Sequence, residues 1–243
     1  MSLPRFYYSP ITRGQVEMTG PEAHHMLHVM RMKEGDWVEL FDGEGVLGRA
    51  VIRQVGSRKA LLEVEEVAIR QQRAVGRIII AASVAKGERF DWLIGKCTEL
   101  GVDRICPVVF ERTVKLAKGG NIVQRYMNLA IAAAKQCERV FLPQIDEPLG
   151  LPQSLAKLKE EYPGTEIFFG GLSEKSKPIL EEKIDGQKDF IAFIGPEGGL
   201  TAEEEALLRQ TGGREVRLSD TILRIETAAV SFAAILAAGR LTK

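Results

Sequence analysis

The sequence predicts an α/β fold with a mainly parallel sheet, preceded by a small β-barrel. Beyond residue 76, continuous apolar runs alternate with helical segments, as buried parallel strands and their crossover helices require. Before residue 70, short strands are separated by turn signals, with a single helix among them. Between these regions Arg70-Gln71-Gln72-Arg73-Ala74-Val75-Gly76 is polar and marks a boundary, giving domains at 1–73 and 74–243.

The first strand is Arg5-Phe6-Tyr7-Tyr8. Pro21 suits the first position of a helix that starts at Gly20-Pro21 and runs through residue 29. Trp37-Val38-Glu39-Leu40-Phe41 alternates, and Asp42-Gly43-Glu44-Gly45 is a turn signal. Residues 46–54 and 60–67 complete the strands.

In the second region, residues 77–83 form a buried strand. Residues 89–100 are helical, with Trp92, Leu93, Lys96, Cys97 and Leu100 at helical spacing and Gly101 as the stop. A strand over 104–110 and a helix over 121–136 follow. The strands at 166–169 and 190–194 each run into glycine. Thr201 and Glu204 form a capping box for a helix over 201–209. A strand at 215–218 and an alanine-rich helix at 226–238 close the pattern.

The 243 residues are 45% hydrophobic, enough for a sizeable core. No apolar run reaches the eighteen or so residues of a membrane span, and the start lacks an apolar signal core. Cys97, Cys106 and Cys137 form no CxxC pair, which fits a reducing cytosol and argues against a disulfide framework or a cysteine-rich zinc site. Net charge is zero, yet residues 86–139 hold ten Lys/Arg against six Asp/Glu, and residues 140–243 hold twelve against seventeen. The middle of the chain therefore suits a phosphate backbone better than its end, although solvated helix faces explain so small an excess more simply.

The strongest local feature is a buried strand that delivers Ile194-Gly195-Pro196-Glu197-Gly198-Gly199 to a capped helix. Glycines let a ligand approach bare backbone, and the free N–H groups of a helix start donate to an anionic or polar group. No Gly-Lys-Ser/Thr follows, so this is not a phosphate-binding Walker loop. Taken alone, the turn is equally a tight connection or a ligand site. Gly170-Gly171 and the loop Leu218-Ser219-Asp220-Thr221-Ile222-Leu223-Arg224 are two further strand-end loops, and all three together would line one pocket. His24 and His28 are four apart on the first helix, without the HExxH pattern of a zinc site; a structural role outweighs a metal pair. The second region has no histidine, so a general base there is a carboxylate, a lysine or the substrate itself. Arg112, Lys115, Arg125, Lys135 and Arg139 are candidate phosphate contacts or a solvated helix face.

Motifs from end to end resemble the SPOUT-class methyltransferases, and within them the RsmE-type uridine N3-methyltransferases of 16S ribosomal RNA. They are Arg5-Phe6-Tyr7 with the segment 23–36; Lys86-Gly87-Glu88-Arg89-Phe90-Asp91-Trp92 with Lys96-Cys97-Thr98-Glu99-Leu100-Gly101-Val102; Glu111-Arg112-Thr113; the 194–199 turn; and Ile222-Leu223-Arg224-Ile225-Glu226-Thr227-Ala228. The chain departs from the family pattern at Ser219-Asp220, where glycine and proline are frequent, at Thr221 and Ile225, and at Lys135 and Glu138.

The resemblance implies a PUA-like RNA-binding barrel over 1–73 and a SPOUT methyltransferase domain with a trefoil knot over 74–243, a rare exception to the rule against threaded chains. It implies S-adenosyl-L-methionine as methyl donor and no metal. Donor contacts would come from Phe169, Gly170 and Gly171, from Ile194, Gly195, Pro196, Glu197, Gly198 and Gly199, and from Leu218, Ile222, Leu223, Glu226, Thr227 and Ala228. RNA contacts would come from Arg5, Arg31, Lys33, Lys86, Arg112, Arg125 and Arg139. Arg224 is the first candidate for stabilising the reacting base, with Arg112 second, and Glu197 or Glu226 a candidate base. The implied partners are 16S ribosomal RNA or the assembled small subunit and a second copy of the chain, packed through an alanine face of Ala228, Ala229, Ala233 and Ala237, in the cytoplasm. A non-catalytic RNA-binding or ribosome-assembly protein and a phosphate-binding enzyme are the competing classes.

Overall fold

The computed structural model describes residues 3–72, 74–85, 87–114, 121–174 and 176–241. They form two compact units, one of residues 1–73 with 134–142 and one of 74–133 with 143–243.

The first unit contains β1 (Arg5–Tyr7), β2 (Gly14–Met18), α1 (Gly20–His24), β3 (Trp37–Phe41), β4 (Val46–Val55) and β5 (Ala60–Ile69). They make a five-stranded sheet in the order β1-β3-β4-β5-β2, antiparallel except for β1 with β3. Pro21 does open α1, which continues into a π-helical turn over His25–Val29. Alternation along the strands turns Phe6, Val38, Leu40, Ala50, Ile52, Leu62 and Val64 inward onto Met18 and Met26. The Asp42 carboxylate accepts the N–H groups of Glu44 and Val46 at 2.8 and 2.9 Å, which fixes the turn between β3 and β4. The 134–142 segment is fastened here by a Lys135–Glu22 ion pair at 2.7 Å and by Leu142 N–H on the Gly43 carbonyl at 2.8 Å.

The second unit contains β6 (Ile78–Ser83), α2 (Glu88–Glu99), β7 (Arg104–Val109), the greater part of α3 (Ile122–Cys137), β8 (Gln144–Ile145), β9 (Leu149–Gly150), α4 (Leu151–Glu161), β10 (Glu166–Gly170), β11 (Lys177–Pro178), β12 (Phe190–Ile194), α5 (Ala202–Gln210), β13 (Arg214–Arg217) and α6 (Ile225–Gly239). Its sheet is parallel throughout, in the order β11-β13-β10-β12-β6-β7-β8, with β9 also on β7. Strands covered on both faces need no alternation, which is why Ile78-Ile79-Ile80-Ala81-Ala82 and Phe190-Ile191-Ala192-Phe193-Ile194 are unbroken apolar runs. Ile79, Ile167, Phe169, Ile191 and Phe193 pack with Leu151, Leu155 and Leu158 of α4 and Leu208 of α5. The fully buried Phe232 belongs to α6, which packs on β6, β12 and α2.

Of the alanine face expected to pack against a second copy, Ala229 and Ala233 are fully buried in the chain's own core, whereas Ala228 and Ala237 are half-buried. Among the described residues no helix is long and apolar enough to cross a membrane.

Candidate functional site

A parallel sheet points all its carboxyl ends one way, so the loops that leave neighbouring strands crowd a single edge. β13, β10 and β12 are such neighbours, and their loops line a cavity of about 400 Å³. The loop after β10 contributes Gly170, Gly171, Leu172 and Ser173; the loop after β12 contributes residues 194–200. The loop after β13 contributes Leu218, Ser219, Thr221, Ile222 and Leu223, followed by Ile225 and Ala228 of α6. The shared pocket assumed from sequence is therefore a consequence of strand order.

The middle loop is a closed turn. Gly199 N–H donates to the Pro196 carbonyl at 2.9 Å, and Gly199 sits at φ +74°, a conformation that glycine adopts without strain. The expected capping box is present: Thr201 N–H donates to the Glu204 carboxylate at 2.9 Å, and Glu204 N–H to the Thr201 hydroxyl at 3.3 Å. Arg112, from the end of β7, braces the turn by donating to the Gly198 carbonyl at 2.8 Å and the Leu200 carbonyl at 3.4 Å. Glu197 lies between two guanidiniums, in a close ion pair with Arg89 and 3.8 Å from Arg224. Arg89 thus belongs to the site, although the sequence offered only its place in a family motif.

The third loop is closed by hydroxyls at the place where the sequence departs from the pattern it resembles. Thr221 N–H donates to the Ser219 hydroxyl at 3.2 Å, and the two hydroxyls are 3.0 Å apart. Arg224 ends this loop as the residue preceding α6, with its side chain 61% exposed and outside the cavity lining.

Glu215 on β13 is the buried charge of the site. Its carboxylate accepts the Ser173 N–H at 3.1 Å and the Ser173 hydroxyl at 2.7 Å, and forms a close ion pair with Arg209. Burial works to raise its pKa, but the hydrogen bonds from Ser173 and Arg209 outweigh burial and hold it below the ordinary carboxylate value of 4.5. A depressed folded-state pKa means that the fold stabilises the ionised form. That contribution is complete above pH 4.5 and is lost as pH falls through the folded value. Glu215→Gln should therefore flatten the acid limb of stability. From about pH 6 to about pH 3 its Tm is expected to fall less than that of the unmodified chain, and parallel curves would refute the assignment.

The charged residues of the cavity lining are Glu197, Glu205 and Glu215; among the described lining residues there is no lysine or arginine. Each carboxylate is ion-paired, Glu197 with Arg89 and Arg224, and Glu205 and Glu215 both with Arg209, so what the walls present is mainly glycine-rich backbone, with no lining cation to hold a polyphosphate.

Other expected residues lie elsewhere. Phe169 is 1% exposed and packs into the sheet core. Glu226 and Thr227, in the first turn of α6, do not line the cavity, and Glu226 Oε2 is buried without a hydrogen-bond partner. Arg125 is paired with Asp91. Arg5 is only 11% exposed and paired with Glu39, whereas Arg31 and Lys33 are open to solvent. Arg139 is half-buried, with its carbonyl 3.5 Å from an Arg5 nitrogen. Lys86 and Lys115 lie outside the described residues. Burial pushes the Cys97 thiol up to about 12 and the Cys106 thiol well above its usual value, so neither is a ready nucleophile. Among the described residues no group of three or more His, Cys, Asp or Glu is placed to hold a metal.

Residues 71–237 match the RNA methyltransferase domain family, and residues 18–65 the RNA methyltransferase PUA domain family. Ribosomal RNA small subunit methyltransferase E of Bacillus subtilis (strain 168) is 29% identical over 236 residues, 91% of each chain. The solved structure of ribosomal RNA small subunit methyltransferase E from Neisseria gonorrhoeae, bound to S-adenosyl methionine, is 26% identical, covers 96% of both chains and has a TM-score of 0.84. A protein of Legionella pneumophila solved with the bound cofactor SAM has 27% identity and a TM-score of 0.87 over 98% of both chains.

Proposed function

Because this chain belongs to the RNA methyltransferase domain family, we propose that it transfers a methyl group from S-adenosylmethionine to N3 of a specific uridine in 16S ribosomal RNA. The observation that carries the reading is the cavity at the ends of β10, β12 and β13. Its walls are glycine-rich backbone, and its charged lining residues are Glu197, Glu205 and Glu215. Among the described lining residues no lysine or arginine is placed to hold a polyphosphate, so such walls suit S-adenosylmethionine better than ATP, which weighs against a phosphate-binding enzyme. The proposed donor contacts are the backbone of residues 170–173, 194–199 and 218–223.

When bound, S-adenosylmethionine supplies an electrophilic methyl group. The chain has to hold the acceptor nitrogen in line with it and favour loss of the N3 proton. In this reading Arg224 faces the negative charge that develops on the uracil ring and its carbonyl oxygens. Arg112 supports the turn that carries the donor, and Glu197 orients Arg224 and Arg89. Arg31 and Lys33 of the PUA-like unit are the leading phosphate contacts, because both are exposed. The division at 73/74, the trefoil knot, a homodimer, the assembled small subunit as substrate and a cytoplasmic location complete the proposal.

S-adenosylmethionine at about one hundred times its Kd should stabilise the protein by about 2.7 kcal/mol, whereas ATP should not. Mass spectrometry of ribosomal RNA from a strain lacking the protein should reveal the loss of one N3-methyluridine. Unchanged ribosomal RNA modification would overturn the reaction, and no shift with the donor would favour a non-catalytic RNA-binding protein.

A further inference from the structure

We propose that Glu215 is a positioning residue for the donor cavity, holding the loop after β10 in the place where that loop forms a cavity wall. The inference rests on the reading of the cavity as the S-adenosylmethionine site.

Glu215 lies opposite Phe169 in the β13–β10 pairing, so its backbone is fixed by the sheet. Its residue is only 8% exposed, and a carboxylate so placed must be fully partnered. Both oxygens serve one loop residue, Oε1 accepting from the Ser173 main chain and Oε2 from its hydroxyl. Ser173 is tied in turn to the rest of the loop: its carbonyl accepts the Ser176 N–H at 3.0 Å and the Ser176 hydroxyl at 2.7 Å. On the opposite side Arg209 of α5 anchors the carboxylate, and its guanidinium lies over the Phe169 ring at 5.1 Å. The chain between β10 and Ser173 passes directly across this carboxylate. Gly171 N–H donates to the Val216 carbonyl at 3.1 Å, and a Cβ at Gly171 would overlap Glu215 Oε1. Gly171 is therefore glycine because Glu215 occupies the space of a side chain.

Supporting the sheet alone would need none of this. An apolar residue at position 215 would pair with β10 equally well, and burying a charge for stability is a poor exchange. What the carboxylate adds is a two-point hold on Ser173, and Gly171, Ser173 and Glu215 all line the cavity.

Calorimetric titration with S-adenosylmethionine, together with turnover at saturating donor, tests the role. Glu215→Gln should raise the donor Kd by roughly tenfold while kcat stays within about twofold. Ser173→Ala, an exposed change that leaves the core intact, should raise Kd by about threefold. Gly171→Ala should weaken binding by roughly thirtyfold or more, yet in a Glu215→Ala background it should cost nothing further, because the clash is gone. Hydrogen exchange at the Ser173 amide should accelerate in Glu215→Gln, a readout that needs no donor. Donor affinity within twofold of the unmodified chain in Glu215→Gln, or an undiminished Gly171→Ala effect in the Glu215→Ala background, overturns this inference alone. Failure of the unmodified chain to bind S-adenosylmethionine overturns the donor reading on which it rests.

Discussion

Replacing Arg104 by methionine is expected to destabilise the second unit by about 3–5 kcal/mol and to lower its Tm by on the order of 10 °C. Arg104 opens β7 and is 0% exposed. Its Nε and Nη2 donate to the two oxygens of Asp146 at 2.9 and 3.0 Å, and Nη1 is in a close ion pair with Glu161 and 3.4 Å from the Tyr162 hydroxyl. Burial alone would lower its pKa; the hydrogen bonds it donates to Glu161, Tyr162 and Asp146 more than reverse this, so it stays charged. Methionine fills the space but leaves Asp146, 7% exposed, with only Lys157 at 3.4 Å as a cation. The loss comes from the stranded carboxylate rather than from the missing attraction, so Arg104→Met with Asp146→Leu should recover most of it. Urea denaturation that gives less than about 1 kcal/mol for the single variant would contradict this account.

Arg104 also marks where sequence reasoning ran out. An arginine at the start of a strand looks like a solvated end, and only the fold brings Asp146 and Glu161 to it. The parallel strands were legible because burial on both faces demands apolar runs, as in β6 and β12. β2 was missed because Gly14-Gln15-Val16-Glu17-Met18 offers two inward apolar positions, too few to distinguish a strand from a loop. α4 carried a usable signal, with Leu151, Leu155 and Leu158 at helical spacing, but Gly150 and Pro152 look like a turn unless proline is recognised in the first helical turn. β8, β9 and β11 have two residues each and exist through sheet pairing rather than propensity.

The site divides in the same way. Two of the three loops were legible because glycine after an apolar strand is a local feature; the third, which has no glycine, was legible only from its place between a strand and the last helix. The side chains that support them were not. Glu215 stands in Arg214-Glu215-Val216-Arg217, where a solvent-facing glutamate would produce the same pattern; its burial follows from Ser173 and Arg209, which belong to other elements. Arg112 looked like a candidate for RNA or for the reacting base; the residue is exposed, and its Nη1 also donates to two carbonyls of the glycine turn, a contact that only the fold reveals. Arg224 remains the exposed cation at the end of the third loop, close to Glu197.

Arg224→Ala is accordingly expected to reduce kcat by about 10²–10³-fold, the scale set by removing one donor to a developing anion. In the proposed reaction uridine N3 must lose its proton before it can attack, and a fixed cation stabilises the resulting charge without reorganising during the reaction. Donor affinity should change by no more than about threefold, because Arg224 does not line the cavity. Stability should hardly move either, since the side chain makes no capping bond to α6 and is 61% exposed. Without the cation the N3 proton is harder to remove, so residual activity should rise toward higher pH than in the unmodified enzyme. Arg224→Lys should recover part of the rate, because it keeps the charge but loses the planar fork that can meet two oxygens. Single-turnover methylation at saturating RNA and donor checks each expectation. Undiminished turnover in Arg224→Ala would move the role to another group. A rate loss matched by an equal rise in donor Kd would instead make Arg224 part of donor binding, since a group acting only on the reacting base changes the chemical step and leaves the cavity as it was.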